Sequence, residues 1–407
     1  MNQKMFIPLI AVFSTALLIN TLDVSRSGTG GHVPVSVPVP ADTAIQSPQV
    51  AQSRIQIVFA LDATGSMGGL IGAAKEKIWS IAGSLAQADP APVIEIGLLF
   101  YRDKGDAFVT RKVALSSDLD DIYAQLMQID ANGGGDRPES VNQALHEAVT
   151  HFQWDRSDKT YKAVFLVGDC PPHMDYQDDV KYPVSCSLAK EKDIILNTIL
   201  MGGDRGAMRI WREIANCSQG TYAQVDMNAN DIAVHTPYDD RIADISDRLD
   251  ATRIYFGSTK DKSVSSEKVA KGLRITSASK SNVKAQRAEY NASGAGKEAY
   301  YGKQELLEYS REDVARVDQI KEEELPEEMK RMSVVERRAY VKEKLAERDS
   351  LTKELQLYMQ KRQDYITKDL KERSAAEVDS SFSNRIYKSI QQQTEKKNIR
   401  IKGGAKY

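Results

Sequence analysis

Cysteine is scarce in this chain, with three in 407 residues, at positions 170, 186 and 217. Three is too few, and an odd number, for a disulfide scaffold, so the fold has to come from an apolar core. An excess of either charge is also missing. The formal net charge is −2, which gives no basis for a nucleic-acid partner or an anionic membrane surface. A bilayer-length apolar run is lacking too. The run at residues 5–19, behind Lys4, falls short of the about 20 residues of a membrane span and suits the about 7–15 of a signal-peptide core. Residues 1–24 are therefore expected to direct export. Cleavage and retention as a membrane anchor both fit, because no clear small-x-small site stands out at 20–27. A phosphate loop is absent as well: Gly294-Ala295-Gly296-Lys297 has Asn291 where the first glycine belongs, and no buried strand precedes it.

What is present, 41% hydrophobic and 28% charged residues, suffices for one large or two modest domains. Residues 25–53 alternate Pro with Val and Ser and then turn polar, the composition of an extended tether. From Arg54 onward, apolar β-rich runs at 55–61, 93–100, 108–115, 163–167, 194–200 and 222–225 alternate with helical patterns. That order predicts an α/β fold, a doubly wound and mostly parallel sheet at 54–228. Lys104-Gly105-Asp106 is a tight turn and predicts one antiparallel hairpin, with a solvated charged tip. A helical and loop extension at 229–330 follows. It starts with an amphipathic helix at 238–249, and 260–280 reads as a surface loop. Residues 331–407 are charged helix formers. A capping box, Ser333-Val334-Val335-Glu336, opens a long helix to about Arg373. Its apolar stripe, interrupted by Arg348 and Arg362, specifies a coiled coil poorly, and packing on a helix at 382–394 or on a partner fits better. Residues 396–406 read as a frayed basic tail.

The functional signal is at the ends of the strands. Asp62, Thr64 and Ser66 close the first strand, Gly133-Gly134-Gly135-Asp136-Arg137-Pro138-Glu139 lies between two helical stretches, and Asp169 closes the strand at 163–167 before Cys170-Pro171-Pro172-His173. Strand ends of this kind form the ligand crevice of open α/β sheets. Together the three loops resemble the metal-ion-dependent adhesion site of von Willebrand factor type A (VWA) domains, and most closely the exported bacterial members with GGGDxPE and GDxPPH signatures.

That resemblance implies Mg2+ (or Mn2+) held by Asp62, Thr64, Ser66, Asp136 and Asp169, with one coordination position left for an acidic side chain of a protein partner. It implies a non-enzymatic adhesion or assembly module, periplasmic, secreted or membrane-anchored, with the C-terminal helices as an assembly element. Thr64 and Ser66 could also cap the helix starting near Gly69, and Asp136 could be the N-cap of a helix starting at Pro138. The alternative is a hydrolase using Cys170 and His173 or a metal-activated water, although no base oriented by a third group is evident. In an exported chain, Cys186 and Cys217 are the pair available for a bridge, which would leave Cys170 a free thiol.

Overall fold

The computed structural model describes residues 53–135, 137–227 and 232–407. The amino-terminal segment and tether, and Asp136, lie outside the described residues.

At the centre is β1 (Arg54–Asp62), in which every residue from Ile55 on is buried. The period-two geometry of a strand divides its side chains between two layers. Ile55, Ile57, Phe59 and Leu61 face one core; Val58 and Ala60 face the other. A strand with apolar residues on both faces can lie only in the interior of a covered sheet.

The remaining strands are β2 (Ala88–Asp89), β3 (Val93–Tyr101), β4 (Thr110–Ser116), β5 (Tyr161–Gly168), β6 (Ile195–Met201), β7 (Tyr222–Val225) and β8 (Arg400–Ile401). Five of them join β1 in one sheet, in the order β4-β3-β1-β5-β6-β7. All its pairings are parallel except β3 with the edge strand β4. Asp62 lies opposite Tyr101, and Leu61 opposite Val167. This register brings Asp62 and the residues after Gly168 to the same carboxyl edge.

One face is covered by α1 (Gly68–Leu85) and α2 (Leu119–Leu126), the other by α3 (Val141–Thr150), α4 (Tyr182–Glu191) and α5 (Arg205–Cys217). Cys186 and Cys217 are bridged, joining α4 to α5 with Cα atoms 5.9 Å apart, and Cys170 is a buried free thiol.

The extension contains α6 (Asp239–Ala251), α7 (Thr259–Ala278), α8 (Ser281–Asn291), α9 (Lys297–Tyr301), α10 (Leu306–Tyr309), α11 (Val334–Glu372), α12 (Ala375–Ser380) and α13 (Phe382–Thr394). As its amphipathic pattern predicts, α6 buries Ile242, Ile245 and Leu249, against Ala285 and Ala288 of α8 and Leu351 and Leu355 of α11. The stretch 260–280 is a helix rather than a loop. Ser258 and Asp261 form a capping box at its start, and Lys268 and Lys271 reach Asp118 and Asp121 at the head of α2.

The helix α11 starts at the predicted capping box, but it is not part of a coiled coil among the described residues. It packs on α6 and α10 of its own chain, while α13 sends Phe382, Ile386 and Ile390 into the core beside α1. Arg348 and Arg362 do not interrupt the buried stripe but belong to it. Arg348 is fully enclosed and doubly bonded to Glu305 at 2.9 and 2.8 Å. Arg362 reaches Asp239 at 2.9 Å. Nor is the basic tail frayed: β8 pairs with β2, and Ile399 and Ile401 are buried.

Among the described residues no helix is long and apolar enough to cross a membrane. The expectation of a membrane anchor has no support among them, and the segment that prompted the expectation of export lies outside the described residues.

Candidate functional site

The strand-end loops meet at the carboxyl edge. Asp62 is fully buried. Its Oδ1 accepts from the Thr64 backbone N–H at 2.9 Å and from the Thr64 hydroxyl at 2.7 Å, and Thr64 Oγ1 lies 3.3 Å from Ser66 Oγ. The hydroxyl of Thr64 thus closes its own loop and caps no helix, since neither Thr64 nor Met67 makes a side-chain cap bond. Ser66 is exposed at the rim.

The glycine loop is sewn to the first loop by Gly65 N–H donating to the Gly133 carbonyl and Asn132 N–H to the Ala63 carbonyl, both at 3.0 Å. Gly133 and Gly134 have φ of 81° and 77°, a region that favours glycine. A Cβ on Gly133 would stand 2.3 Å from Asp106 Oδ1.

The hairpin tip is exposed at Gly105 and Ala107, as its composition suggests, but its two aspartates are tied to the neighbouring loops. Asp106 Oδ2 accepts from Gly134 N–H at 2.9 Å and from Asp103 N–H at 3.1 Å. Asp103 is buried and accepts from Ser140 Oγ and Tyr176 Oη, both at 2.8 Å. The sequence reading missed both aspartates and also Glu139. The first helical residue after the glycine loop is Val141, with Ser140 at the N-cap position. The helix start expected at Pro138 is therefore absent, and Asp136, proposed as ligand or cap, lies outside the described residues.

Glu139 links the second and third loops. Its N–H donates to the Pro171 carbonyl, and its carbonyl accepts from His173 N–H, both at 3.1 Å. Arg137 donates from Nε to Cys170 Sγ and from an Nη to the Asp169 carbonyl, again at 3.1 Å. Gly168 is required at the edge because a Cβ there would stand 2.2 Å from Tyr101 Oη.

The electrostatics follow from this enclosure. Burial pushes the Asp62 carboxyl up from 3.8 to about 7; Thr64's hydrogen bonds oppose the rise, and Asp169 and Asp106 add to it. Burial, then Asp62, Asp103, Asp169 and Asp106, push Glu139 up to about 8. Like charges in a dry site raise one another's proton affinity. Three enclosed oxygens, Asp62 Oδ2, Glu139 Oε2 and Asp169 Oδ1, have no hydrogen-bond donor.

These carboxylates do not compose a metal centre. Among the described residues no group of three or more His, Cys, Asp or Glu side chains is arranged to hold a metal ion. Asp62 spends one oxygen on Thr64, Asp103 is tied to Ser140 and Tyr176, and Asp106 to the glycine loop. The expectation of Mg2+ or Mn2+, and with it of an acidic partner side chain completing the coordination, is withdrawn.

The hydrolase alternative has no geometry either. Burial and the neighbouring Asp169 push the Cys170 thiol up, away from thiolate. His173 stacks on Tyr176 at 3.9 Å and directs Nδ1 to Asp175 at 2.9 Å and Nε2 toward Asp103 at 3.4 Å, not to the sulfur.

Residues 56–236 match a described family, "von Willebrand factor A domain". This region carries VWA homology. Among curated proteins the chain is 38% identical over 93 residues to von Willebrand factor A domain-containing protein 7 of Rattus norvegicus, covering 23% of this chain and 10% of that one. It is 29% identical over 123 residues to an ariadne-like RING finger protein of Acanthamoeba polyphaga mimivirus, covering 30% and 12%. The chain thus spans only a small part of these relatives. Among solved structures it resembles the conserved hypothetical protein BatB from Bacteroides thetaiotaomicron, at 17% identity and a TM-score of 0.33 over 42% of this chain and 90% of that one. It also resembles the SpRpn10 VWA domain, at 12% identity and a TM-score of 0.32 over 43% and 88%. At these scores the structural likeness adds nothing to what the VWA domain's own geometry says.

Proposed function

We propose that the carboxyl edge of the VWA sheet docks a partner protein by receiving an arginine or lysine side chain among Asp62, Glu139 and Asp169, which are buried in the free chain and are uncovered by movement of the exposed glycine loop at 133–135, with Ser66 at the rim. The supporting observation is the set of three enclosed carboxylate oxygens that lack any donor. Buried acceptors without partners are costly, and a guanidinium or ammonium supplies both donors and the charge that offsets their mutual repulsion. An acidic partner would add to that repulsion. On this reading GGGDxPE and GDxPPH are two halves of one device, because Glu139 and Pro172 form a bridge between the loops.

Selection of random displayed peptides on the full chain tests the proposal. The expected result is enrichment of peptides with a central Arg or Lys, lost when Glu139→Gln and Asp169→Asn are introduced together. Enrichment of acidic or wholly apolar peptides, or enrichment indifferent to the two substitutions, would overturn it.

A further inference from the structure

Away from the VWA edge, the helices of the extension enclose a cavity of about 210 Å³ between α6, α8, α9 and α11. It is smaller than the about 300–1,000 Å³ sites of drug-sized ligands. Its inner wall is apolar, formed by Leu249, Ala288 and Leu355 with the rings of Tyr300 and Tyr301. The Tyr300 hydroxyl is turned away to Asp250 at 2.7 Å. Ser246, Thr352 and Gln356 add polar groups to the lining.

The mouth is different in kind. Lys297 Nζ lies 2.9 Å from Glu308, Arg311 lies 2.9 Å from Glu308, and Arg311 continues to Asp349 at 2.7 Å. Two cations and two carboxylates therefore alternate along the rim with no net charge. Lys297 and Asp349 end the row, and each is about half exposed. Among the lining groups, Asn291 carries an enclosed amide nitrogen, Nδ2, with no acceptor.

We propose that this cavity binds a small zwitterion with an apolar body, an α-amino acid with a branched or aromatic side chain. Its carboxylate takes the Lys297 ammonium, its ammonium goes to Asp349, and its side chain fills the wall of Leu249, Leu355, Tyr300 and Tyr301. A neutral rim of alternating charge matches a ligand with both charges better than one with either alone. The ligand would bridge α8, α9 and α11, tying the long helix to the helices beneath it.

Calorimetric titration of the full chain with four probes, L-leucine, L-phenylalanine, phenylacetate and phenethylamine, tests the assignment. One of the amino acids is expected to bind at millimolar concentration or below. Phenylacetate and phenethylamine, each lacking one charge, are expected to bind at least about tenfold more weakly, the worth of a hydrogen bond to a charged group. Lys297→Met and Asp349→Asn should each weaken the amino acid by about the same factor. Thr352→Trp, which fills the cavity, should abolish binding while a melting curve shows the chain still folded. If no probe binds, if a single-charge probe binds as tightly as the zwitterion, or if binding survives Thr352→Trp, the proposal is wrong.

Discussion

Asp62→Asn should flatten the dependence of stability on pH. The wild-type carboxyl is fully buried and pushed from 3.8 to about 7, chiefly by loss of water. A carboxyl raised in this way stabilises the fold fully below its unfolded value and loses that contribution as pH rises through the folded value. For Asp62 the loss runs from about pH 4 to about pH 7 and above. A rise of about three units, at about 1.36 kcal/mol each, gives a loss on the order of 4 kcal/mol across that window. Asparagine keeps the Oδ1 acceptor for Thr64 and cannot ionise. Its new amide donor stands where Oδ2 has no partner, a cost of about 1–3 kcal/mol that does not change with pH. The prediction is therefore a change of slope, whatever the offset at low pH. Urea unfolding, followed by the fluorescence of the buried Trp79 and Trp211, should be run at intervals from about pH 4 to 8 with m checked for constancy. Wild-type stability should fall across the range by more than the variant's, by a few kcal/mol. Parallel curves would refute the reasoning, because they would mean that Asp62 is already ionised at low pH or is not dry.

Arg348→Met should destabilise the chain by about 3–5 kcal/mol in urea unfolding, since it strands the fully buried Glu305 without its cation; adding Glu305→Gln should recover most of that, and an additive double variant would contradict it. Replacing Cys186 and Cys217 by serine opens a link across a sequence separation of 31 and should cost about 3–4 kcal/mol under the same assay; a loss below about 1 kcal/mol would show the bridge to be incidental. Melting in chelator and in millimolar Mg2+ should give the same midpoint, and a Mg2+-dependent rise abolished by Asp62→Ala would reinstate the ion that the described geometry does not support.

The sheet was legible because its signals are local. Ile55 to Leu61 is apolar on both faces, and a strand of that kind fits only the middle of a covered sheet. The capping box at Ser333 likewise marks its helix start without reference to anything distant. The misreadings arose where distant partners decide the outcome. Arg348 and Arg362 look like breaks in a stripe until Glu305 and Asp239 are brought to them. The stretch 260–280 looks like a loop until its lysines meet the acidic head of α2. Asp103 and Asp106 sit on a turn whose composition suggests solvent, and only the fold shows Gly134, Ser140 and Tyr176 closing over them. The resemblance named loops that meet at the carboxyl edge, but the spacing of Asp62, Thr64, Ser66 and Asp169 could not say that Thr64 would turn inward onto Asp62.

The central claim is that the carboxylates of this edge meet a cation from a partner. Its most direct test is a double-mutant cycle on one peptide recovered by selection, titrated by fluorescence anisotropy in four combinations: wild-type chain or Glu139→Gln with Asp169→Asn, each against the peptide with its Arg or Lys intact or replaced by Met. The account predicts that either change alone weakens binding by about tenfold or more and that the second change then costs almost nothing, a coupling of at least about 1.5 kcal/mol. Losses that simply add, with no coupling between the peptide's cation and Glu139 and Asp169, would contradict it.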